Sequence, residues 1–294
     1  MGSLGPTLQR WDAVARIWAD GVARTLRTAT GRPPEPAPTV PRLAPMPLAA
    51  FDARFVQPQR PVVLVGYAAG WPAREQWTTT VLRARFGDRP VAVARTVQGN
   101  LVHDPQWGVP YRTLPLAGYL DLLEGGGHPG WYLTAAVSRW LPELMADVSI
   151  PPCCVDADWR HSRIWLAAAG TGSPLHRDLA DNLFVQVTGR KRFLLAHCND
   201  TPWLYSHGIA SGLPNFSRVD VENLDLMTFP LAGRVGIAEV VLEAGDALYL
   251  PRRWWHQVRA LETGAAINFW WASGAAAWPV RVAETYKRYR GLEL

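Results

Sequence analysis

Three residues in the second half of the chain could together hold a metal ion. His176 and Asp178 are separated by one residue in the segment SPLHRDL, and His256 follows in the segment LPRRWWHQV. Side chains alternate between the faces of a β-strand, so the first two would project from the same face. Two histidines and one carboxylate on one side of a metal leave three coordination positions open, which suits non-haem Fe(II). A His-x-Asp pair alone is a weak signal, so the interpretation depends on the surrounding sequence.

Lysine is scarce in this chain: among 30 basic residues only Lys191 and Lys287 are lysines. Lysine ends in a compact ammonium and arginine in a planar guanidinium, so the two are not interchangeable. Lys191 lies in the segment VTGRKRF, shortly after the first two candidate ligands. Lys191 therefore either has a role that a guanidinium cannot fill or is a solvent-facing residue of the turn TGRK.

Short β-prone segments, bounded by Gly, Pro and Asp, must position these residues. Helices are expected only near 113–124 and 138–147, and Gly245-Asp246 is expected to form a tight hairpin turn. Almost everything after residue 150 reads as strand and turn, which is typical of a β-sandwich or barrel. A parallel α/β fold would need helices that alternate with these strands. The expected strands lie at 61–67, 90–95, 131–137, 163–170, 182–189, 191–197, 238–251, 256–261 and 265–272.

The two ends of the chain differ from this body. Residues 7–29 predict an amphipathic helix, because apolar residues recur at spacings of three and four. Residues 33–47 contain seven prolines, which predicts an extended tether and not a folded element. The apolar stripe of the helix consists of Trp11, Val14, Trp18, Val22 and Leu26. The expected division is an N-terminal helix and tether (1–48), a catalytic domain (49–275) and a short C-terminal helix (276–294).

The composition excludes several classes of protein. The chain has 294 residues, of which 48% are hydrophobic, and a net charge of +5, which describes a globular protein and not a disordered one. It has no apolar run of about 18 residues, so no membrane span is expected. The three cysteines, Cys153, Cys154 and Cys198, fit a reduced compartment, and we expect a cytoplasmic protein. The arginines are scattered, so the basic charge is weak evidence for a nucleic-acid partner.

Four motifs carry a resemblance to a known family. They are SPLHxD, DNLFVQVxGxK, LEAGDxLYLPxxWWH and NFW, in this order along the chain. Together they resemble the cupin-like JmjC hydroxylases, the iron- and 2-oxoglutarate-dependent group that includes the hypoxia-inducible factor asparaginyl hydroxylase and the tRNA wybutosine hydroxylase. The resemblance covers roughly residues 50–275. It implies a mainly β fold with peripheral helices, a double-stranded β-helix or jelly roll.

The resemblance also implies roles for individual residues. His176, Asp178 and His256 would ligate Fe(II), and Lys191 would pair with the distal carboxylate of the cosubstrate 2-oxoglutarate. The other implied contacts of the cosubstrate or of the iron site are Ser173, Tyr132, Asn182 and Asn268. A compact ammonium suits a confined carboxylate pocket, in agreement with the retained lysine. Trp255, beside one ligand, is read as a packing residue.

The implied activity is the hydroxylation of a C–H bond with O₂, most readily of a peptide or protein side chain. A small-molecule metabolite and a tRNA base are the alternatives, and histone demethylation is a weaker one. A different class, a non-catalytic jelly-roll binding module, would be favoured by the loss of a ligand or of Lys191, and none is lost. The terminal helices make a homodimer possible.

Overall fold

A computed structural model describes residues 36–102, 109–126, 130–154, 159–207, 213 and 215–272. The helices expected at 7–29 and 278–290 lie outside the described residues, as does Lys287. In the part of the chain that is described, no helix is long and apolar enough to cross a membrane.

Two β-sheets form the body of the molecule. Their strands are β1 (Arg42–Leu43), β2 (Val62–Leu64), β3 (Pro90–Val97), β4 (Asn100–Leu101), β5 (Tyr111–Pro115), β6 (Trp131–Ala136), β7 (Arg163–Ala167), β8 (Gly172–Arg177), β9 (Asp181–Gln186), β10 (Lys191–Ala196), β11 (Ile237–Leu242), β12 (Ala247–Leu250), β13 (Trp255–Ala260) and β14 (Gly264–Trp271). The two sheets meet at β3, which pairs with strands of both. The larger sheet runs in the order β1-β2-β12-β9-β14-β7-β6-β3, with β5 also paired to β3, and the smaller one in the order β4-β8-β13-β10-β11. From β8 to β14 the chain passes repeatedly between the two sheets, as in a jelly roll.

The helices among the described residues are short and lie beside the larger sheet. In the helix α4 (Leu116–Glu124), buried residues recur at spacings of three and four, so that one face packs on the larger sheet. On that face the Tyr119 hydroxyl donates to Leu166 O at 2.6 Å and accepts from Leu133 N at 3.0 Å, which ties β6 to β7. The helices are α1 (Leu48–Phe51), α2 (Ala73–Gln76), α3 (Thr79–Phe86), α4 (Leu116–Glu124) and α5 (Val137–Trp140), with a π-helical turn at Asp52–Val56 and 3₁₀ turns at Pro142–Asp147, Pro152–Cys154, Trp159–His161, Cys198–Trp203 and Pro230–Arg234.

Apolar side chains fill the space between the two sheets. Phe184 of the larger sheet and Phe193 of the smaller sheet meet edge to face, with ring centroids 5.1 Å apart. Leu195, Val240 and Leu248 belong to the same buried cluster. A second and larger cluster packs the helices against the outer face of the larger sheet. The predicted mainly β jelly roll with peripheral helices is therefore confirmed.

The predicted hairpin turn is wrong. Gly245-Asp246 does not close a hairpin, because β11 pairs with β10 in the smaller sheet while β12 pairs with β2 and β9 in the larger one. The turn instead carries the chain from one sheet to the other. Its Asp246 carboxylate is buried and accepts hydrogen bonds from Gly66 N at 2.9 Å and from Arg42 Nη2 at 2.6 Å.

The same arginine lies in the segment 33–47, the expected extended tether, of which residues 36–47 are described and only two are in a strand. Arg42 and Leu43 form β1, which pairs in parallel with β2. A proline-rich segment can add an edge strand where the residues between the prolines donate the ladder hydrogen bonds. The predicted helix at 113–124 is likewise shorter, because residues through Pro115 continue β5. The predicted helix at 138–147 is divided between α5 and a 3₁₀ turn.

Candidate metal centre

His176 and His256 face each other across two neighbouring strands of the smaller sheet. They form a direct cross-strand pair between β8 and β13, and their ring centroids are 4.2 Å apart. Side chains of such a pair project from the same face of a sheet. Two histidines that are distant in sequence thus become neighbours through strand register.

Each imidazole is oriented by a backbone carbonyl. His176 Nδ1 lies 2.8 Å from Pro174 O, and His256 Nδ1 lies 3.1 Å from Trp254 O. A carbonyl oxygen accepts hydrogen bonds only, so each Nδ1 carries the proton and donates it. In a neutral imidazole held in this way Nε2 has the lone pair, which is the form of histidine that binds a metal.

Asp178 completes the group. It lies just beyond the end of β8, where its backbone carbonyl accepts a hydrogen bond from Arg253 N at 2.7 Å. Its Oδ2 lies 3.9 Å from His256 Nε2 and accepts a hydrogen bond from Trp270 Nε1 at 3.0 Å. One donor atom from each of His176, Asp178 and His256 lies within 4.8 Å of the others. The three residues are thus brought together in a geometry that could converge on one ion.

Burial keeps one of these histidines neutral. The pKa of His256 is lowered to about 4, first because burial disfavours the imidazolium and second because His176 lies close by. The nearby Asp178 carboxylate raises the pKa of His256, but burial and His176 together outweigh it. A neutral imidazole offers its lone pair without first losing a proton, so the site does not compete with protons near neutral pH.

Ser173 lies on the inner face of β8 through a local irregularity. The register between β8 and β13 shifts by one residue between His256, which pairs with His176, and Val258, which pairs with Ser173. A regular strand would place residues three apart on opposite faces, and this β-bulge returns both to the same face. Pro174, within the bulge, is at a position that strands tolerate for proline.

Lys191 is the most unusual charged residue of the interior. It begins β10, on the same face as Phe193, and is 1% exposed. Its Nζ donates to the Tyr132 hydroxyl at 3.1 Å and lies 4.9 Å from the centre of the Phe184 ring. Among the described residues no carboxylate forms an ion pair with it, and burial lowers its pKa to about 7. The alternative of a solvent-facing turn residue is therefore wrong.

Two asparagines lie on the inner face of the larger sheet and are linked in a chain of hydrogen bonds. Trp165 Nε1 donates to Asn268 Oδ1 at 2.7 Å, and Asn268 Nδ2 donates to Asn182 Oδ1 at 3.3 Å. Both asparagines are buried. Because Asn268 uses its oxygen for Trp165, its orientation is determined, and the Asn182 amide nitrogen remains available for a further acceptor.

Asp181 joins the segment that follows Asp178 to the segment that precedes His256, and no sequence motif pointed to this role. It is buried and accepts from Tyr249 OH at 2.8 Å, from Arg252 N at 3.1 Å and from Arg252 Nη1 at 3.0 Å. Gln59 Nε2 donates to the same carboxylate at 3.2 Å. The segment after Asp178 is thereby attached to the segment before His256.

Trp270 and Trp165 were also missed as contacts of the site. Trp270 is two residues after Asn268, so strand alternation places both on the inner face of β14. That spacing was a usable signal, whereas the position of Trp165 depends on how β7 pairs with β14. Trp255 is fully buried and donates to Thr201 Oγ1 at 3.0 Å, in agreement with the packing role expected of it.

The donor set and the interior fit the groups that the motifs imply. Two imidazoles and one carboxylate form the facial set that suits non-haem Fe(II). The buried ammonium of Lys191, next to the Tyr132 hydroxyl, needs an anion to offset its burial. Along β13, Ala260 pairs with Lys191 and lies four residues from His256, roughly 13 Å at the rise of a strand.

Comparison with known proteins defines the class. Residues 47–276 match the family described as the cupin-like domain. The chain therefore belongs to the cupin-like domain family, in agreement with the family that its motifs resemble.

The relatives include proteins with different names. The chain is 35% identical over 246 residues to lysine-specific demethylase 8 of Danio rerio, covering 81% of this chain and 59% of that protein. It is 31% identical to tRNA wybutosine-synthesizing protein 5 of Gallus gallus, covering 81% and 78% of the two chains. It is also 31% identical to the human bifunctional peptidase and (3S)-lysyl hydroxylase JMJD7, covering 75% and 80%. The chain thus spans little more than half of the length of the demethylase 8 relatives.

Proposed function

We propose that this chain is an Fe(II)- and 2-oxoglutarate-dependent oxygenase that hydroxylates a C–H bond of a peptide or protein side chain. The proposal combines the His176, Asp178 and His256 group with a second, separate feature of the same interior. That feature is Lys191, and it is the observation that carries the proposal.

A buried ammonium without a counter-ion destabilises a folded protein. Lys191 is almost completely buried, and its hydrogen-bond partner is the neutral Tyr132 hydroxyl. A non-catalytic jelly roll would have no reason to keep a cation there, and a methionine of similar length would be more stable. A bound carboxylate provides the missing counter-charge, so the site is built for an anionic cosubstrate.

Each residue of the site then has a physical task. His176, Asp178 and His256 would hold the metal, and their backbone and Trp270 hydrogen bonds fix the ligand atoms before it arrives. With Fe(II) and 2-oxoglutarate bound, the site has the chemistry to insert one atom of O₂ into a C–H bond.

The cosubstrate is oriented by residues on both sheets. Lys191 and Tyr132 would bind the distal carboxylate, with the Ser173 hydroxyl beside them on β8. Asn182 and Asn268, held in one orientation by Trp165, would bind polar atoms nearer the metal. The apolar cluster that includes Phe184 and Phe193 excludes water from this interior, which strengthens each polar contact.

The relatives support more than one class of substrate. The names lysine-specific demethylase 8 and (3S)-lysyl hydroxylase refer to amino-acid side chains, which favours a peptide or protein. A tRNA base is the second candidate, because tRNA wybutosine-synthesizing protein 5 aligns over 78% of its length. We place the peptide first, since the described residues form no exposed row of aromatic side chains on which bases could stack.

The proposal is tested by turnover and by binding. Purified protein supplied with Fe(II), 2-oxoglutarate and O₂ should form succinate slowly without any added substrate, and faster with a substrate. His176→Ala, Asp178→Ala and His256→Ala should each abolish succinate formation, because each removes one of three protein ligands. A variant of this set that kept full activity would contradict the ligand assignment.

A further inference from the structure

Beside the metal centre lies an open cavity that the proposed chemistry does not use. It has a volume of about 360 Å³, within the range of ligand sites. It opens where the smaller sheet divides: β4 pairs with β8 only at its start, and a segment around Phe216 then takes over the edge of β8. Its described lining includes Leu101, Pro174, Leu213, Phe216, His207 and Arg218.

Phe216 connects this cavity to the metal centre. Its ring stacks on the His176 ring, with centroids 5.1 Å apart and planes 14° apart. Pro174, which also lines the cavity, accepts the Nδ1–H of His176. A group bound in the cavity would therefore be separated from the ligand histidine by the Phe216 ring, on the side away from His256.

The wall of the cavity is positively charged. Arg218 is exposed, and its guanidinium lies against the rings of Tyr205 and Phe229, 5.9 and 5.6 Å from their centres. Its Nε makes one long hydrogen bond of 3.4 Å to Tyr205 O. Among the described residues Arg218 forms no ion pair and none of the cavity lining is acidic. Two rings thus hold a cation in place for an external anion.

The neighbouring imidazole does not add a second charge. His207 donates its backbone N–H to Phe216 O at 2.9 Å and lies in the same wall. Burial and the nearby Arg218 both lower its pKa, so it is neutral near pH 7 and can hydrogen-bond to a polar group. The floor is apolar, from Leu101, Pro174 and Leu213.

We infer that this cavity is the subsite in which a peptide substrate places an acidic side chain, Asp or Glu, close to the residue that is oxidised. The inference rests on the proposed function and assigns its substrate class. The cavity is an open trough, which accommodates a side chain of a longer molecule, whereas a metabolite would be enclosed on most sides. A lysine side chain entering here would meet a like charge, so this chain would differ from relatives whose names refer to lysine.

Matched peptide pools test the inference. Short synthetic peptides, randomised at two adjacent positions, are prepared in three versions that carry Asp, Asn or Lys at a third position. Binding is measured by capture on Mn(II)- and 2-oxoglutarate-loaded protein, and oxidation with Fe(II) by the mass gain of one oxygen atom. We expect the Asp pool to be captured and oxidised about tenfold better than the Asn pool, and the Lys pool least.

Charge reversal gives the decisive comparison. Arg218→Glu should invert the order of the Asp and Lys pools, and Arg218→Lys should keep it. Arg139→Glu is the control, since Arg139 is an exposed arginine that also lies over a ring, that of Trp140, on α5. It makes the same change of net charge away from the cavity and should keep the preference for Asp.

Several outcomes would overturn the inference. It fails if the pools are oxidised without preference for Asp, if the preference survives Arg218→Glu, or if Arg139→Glu abolishes it equally. It also fails if no pool is captured, or if only tRNA fragments or free metabolites are oxidised. Titration of peptide-free protein with 2-oxoglutarate separates these cases from failure of the proposed function, because that binding requires Lys191 and not Arg218.

Discussion

Trp270 donates its indole N–H to Asp178 Oδ2 at 3.0 Å, and the same oxygen faces His256 Nε2 at 3.9 Å. The carboxylate is therefore held by the protein in the position that a shared metal would require. Such outer hydrogen bonds fix the orientation of a ligand and raise its affinity. The bond also links the two sheets, since β14 belongs to the larger one and β8 and β13 to the smaller.

Removing this hydrogen bond should weaken metal binding. In Trp270→Phe the Asp178 carboxylate loses its donor while the ring is largely preserved, and we expect Mn(II) to bind about 10- to 100-fold more weakly. Electron paramagnetic resonance during a Mn(II) titration measures this directly. Trp271→Phe is the neighbouring control, because that ring stacks on Tyr249 and not on a ligand. Equal Mn(II) affinity in both variants would show that the indole hydrogen bond is unimportant.

Lys191→Met should abolish tight binding of 2-oxoglutarate and leave metal binding unchanged. Removing one side of a buried ion pair typically costs about 3–5 kcal/mol, which corresponds to a loss of about 150-fold or more in affinity. Lys191→Arg should also bind poorly, because the planar guanidinium is wider than the ammonium.

The neighbouring residue provides the control for that experiment. Arg190 forms an exposed ion pair with Glu262, and its Nε lies 2.7 Å from the carboxylate. Arg190→Met removes a cation one position away, and the dissociation constant of 2-oxoglutarate should stay within about twofold of the wild-type value. Calorimetric titration of Ni(II)-loaded proteins compares the three variants. A Lys191→Met protein with wild-type affinity would refute the assignment of the carboxylate pocket.

The same lysine makes the stability of the metal-free protein depend on pH. Its pKa falls from 10.5 in the unfolded chain to about 7 in the folded one, because burial disfavours the ammonium. Between these values the unfolded state binds more protons, so the free energy of unfolding rises with pH through this window. Below about pH 7 both states are protonated and the full cost of burial remains.

Urea unfolding at several pH values checks this effect. Relative to Lys191→Met, the wild-type protein should gain stability between pH 7 and pH 10.5, on the order of 3–5 kcal/mol in total. The variant itself should be the more stable protein at pH 7. Parallel pH curves for the two proteins would mean that Lys191 keeps its ordinary pKa when it is buried.

A cluster of charges on the outside of the smaller sheet should contribute to stability. Glu222 accepts hydrogen bonds from Arg192 on β10, from Arg259 on β13 and from Gln257 at 2.9 Å. Because β10 and β13 carry Lys191 and His256, this contact joins strands of the site. Glu222→Gln should lower the free energy of unfolding by roughly 1.5–3 kcal/mol, measured by urea denaturation.

An exposed carboxylate beside the cluster serves for comparison. Glu239 lies 3.9 Å from Arg192 Nη1 and its side chain is 58% exposed, so Glu239→Gln should change the free energy of unfolding by less than about 0.5 kcal/mol. If the two substitutions lowered the free energy of unfolding equally, the Glu222 contacts would stabilise the protein no more than an exposed ion pair does.

The sequence was informative where the chemistry is local and less so where it depends on strand pairing. The residues His176, Asp178, His256 and Lys191 could be singled out because motifs identify them by type and spacing. The side-by-side placement of the two histidines depends on the register of β8 and β13, which no local pattern encodes. The inward position of Ser173 depends on a bulge in that register.

The hairpin predicted at Gly245-Asp246 is wrong because strand pairing, which local sequence does not encode, determines this turn. Gly245-Asp246 has the residue types of a hairpin turn, yet its flanking strands pair with different sheets, and the buried Asp246 carboxylate is satisfied by Gly66 and Arg42 from distant parts of the chain. In the tether predicted at 33–47, proline content could not show that Arg42 and Leu43 pair with the edge of β2. Both features depend on contacts between residues that are distant in sequence.

We propose that the histidine and aspartate group and Lys191 act together to bind a metal and 2-oxoglutarate. Anaerobic calorimetric titration with 2-oxoglutarate, performed on metal-loaded wild-type, His256→Ala and Lys191→Met proteins with the metal content of each determined, tests this most directly. We predict tight binding to the wild-type protein, loss of both metal and 2-oxoglutarate in His256→Ala, and loss of 2-oxoglutarate alone in Lys191→Met. Equal binding of 2-oxoglutarate by all three proteins, or by none of them, would contradict the claim.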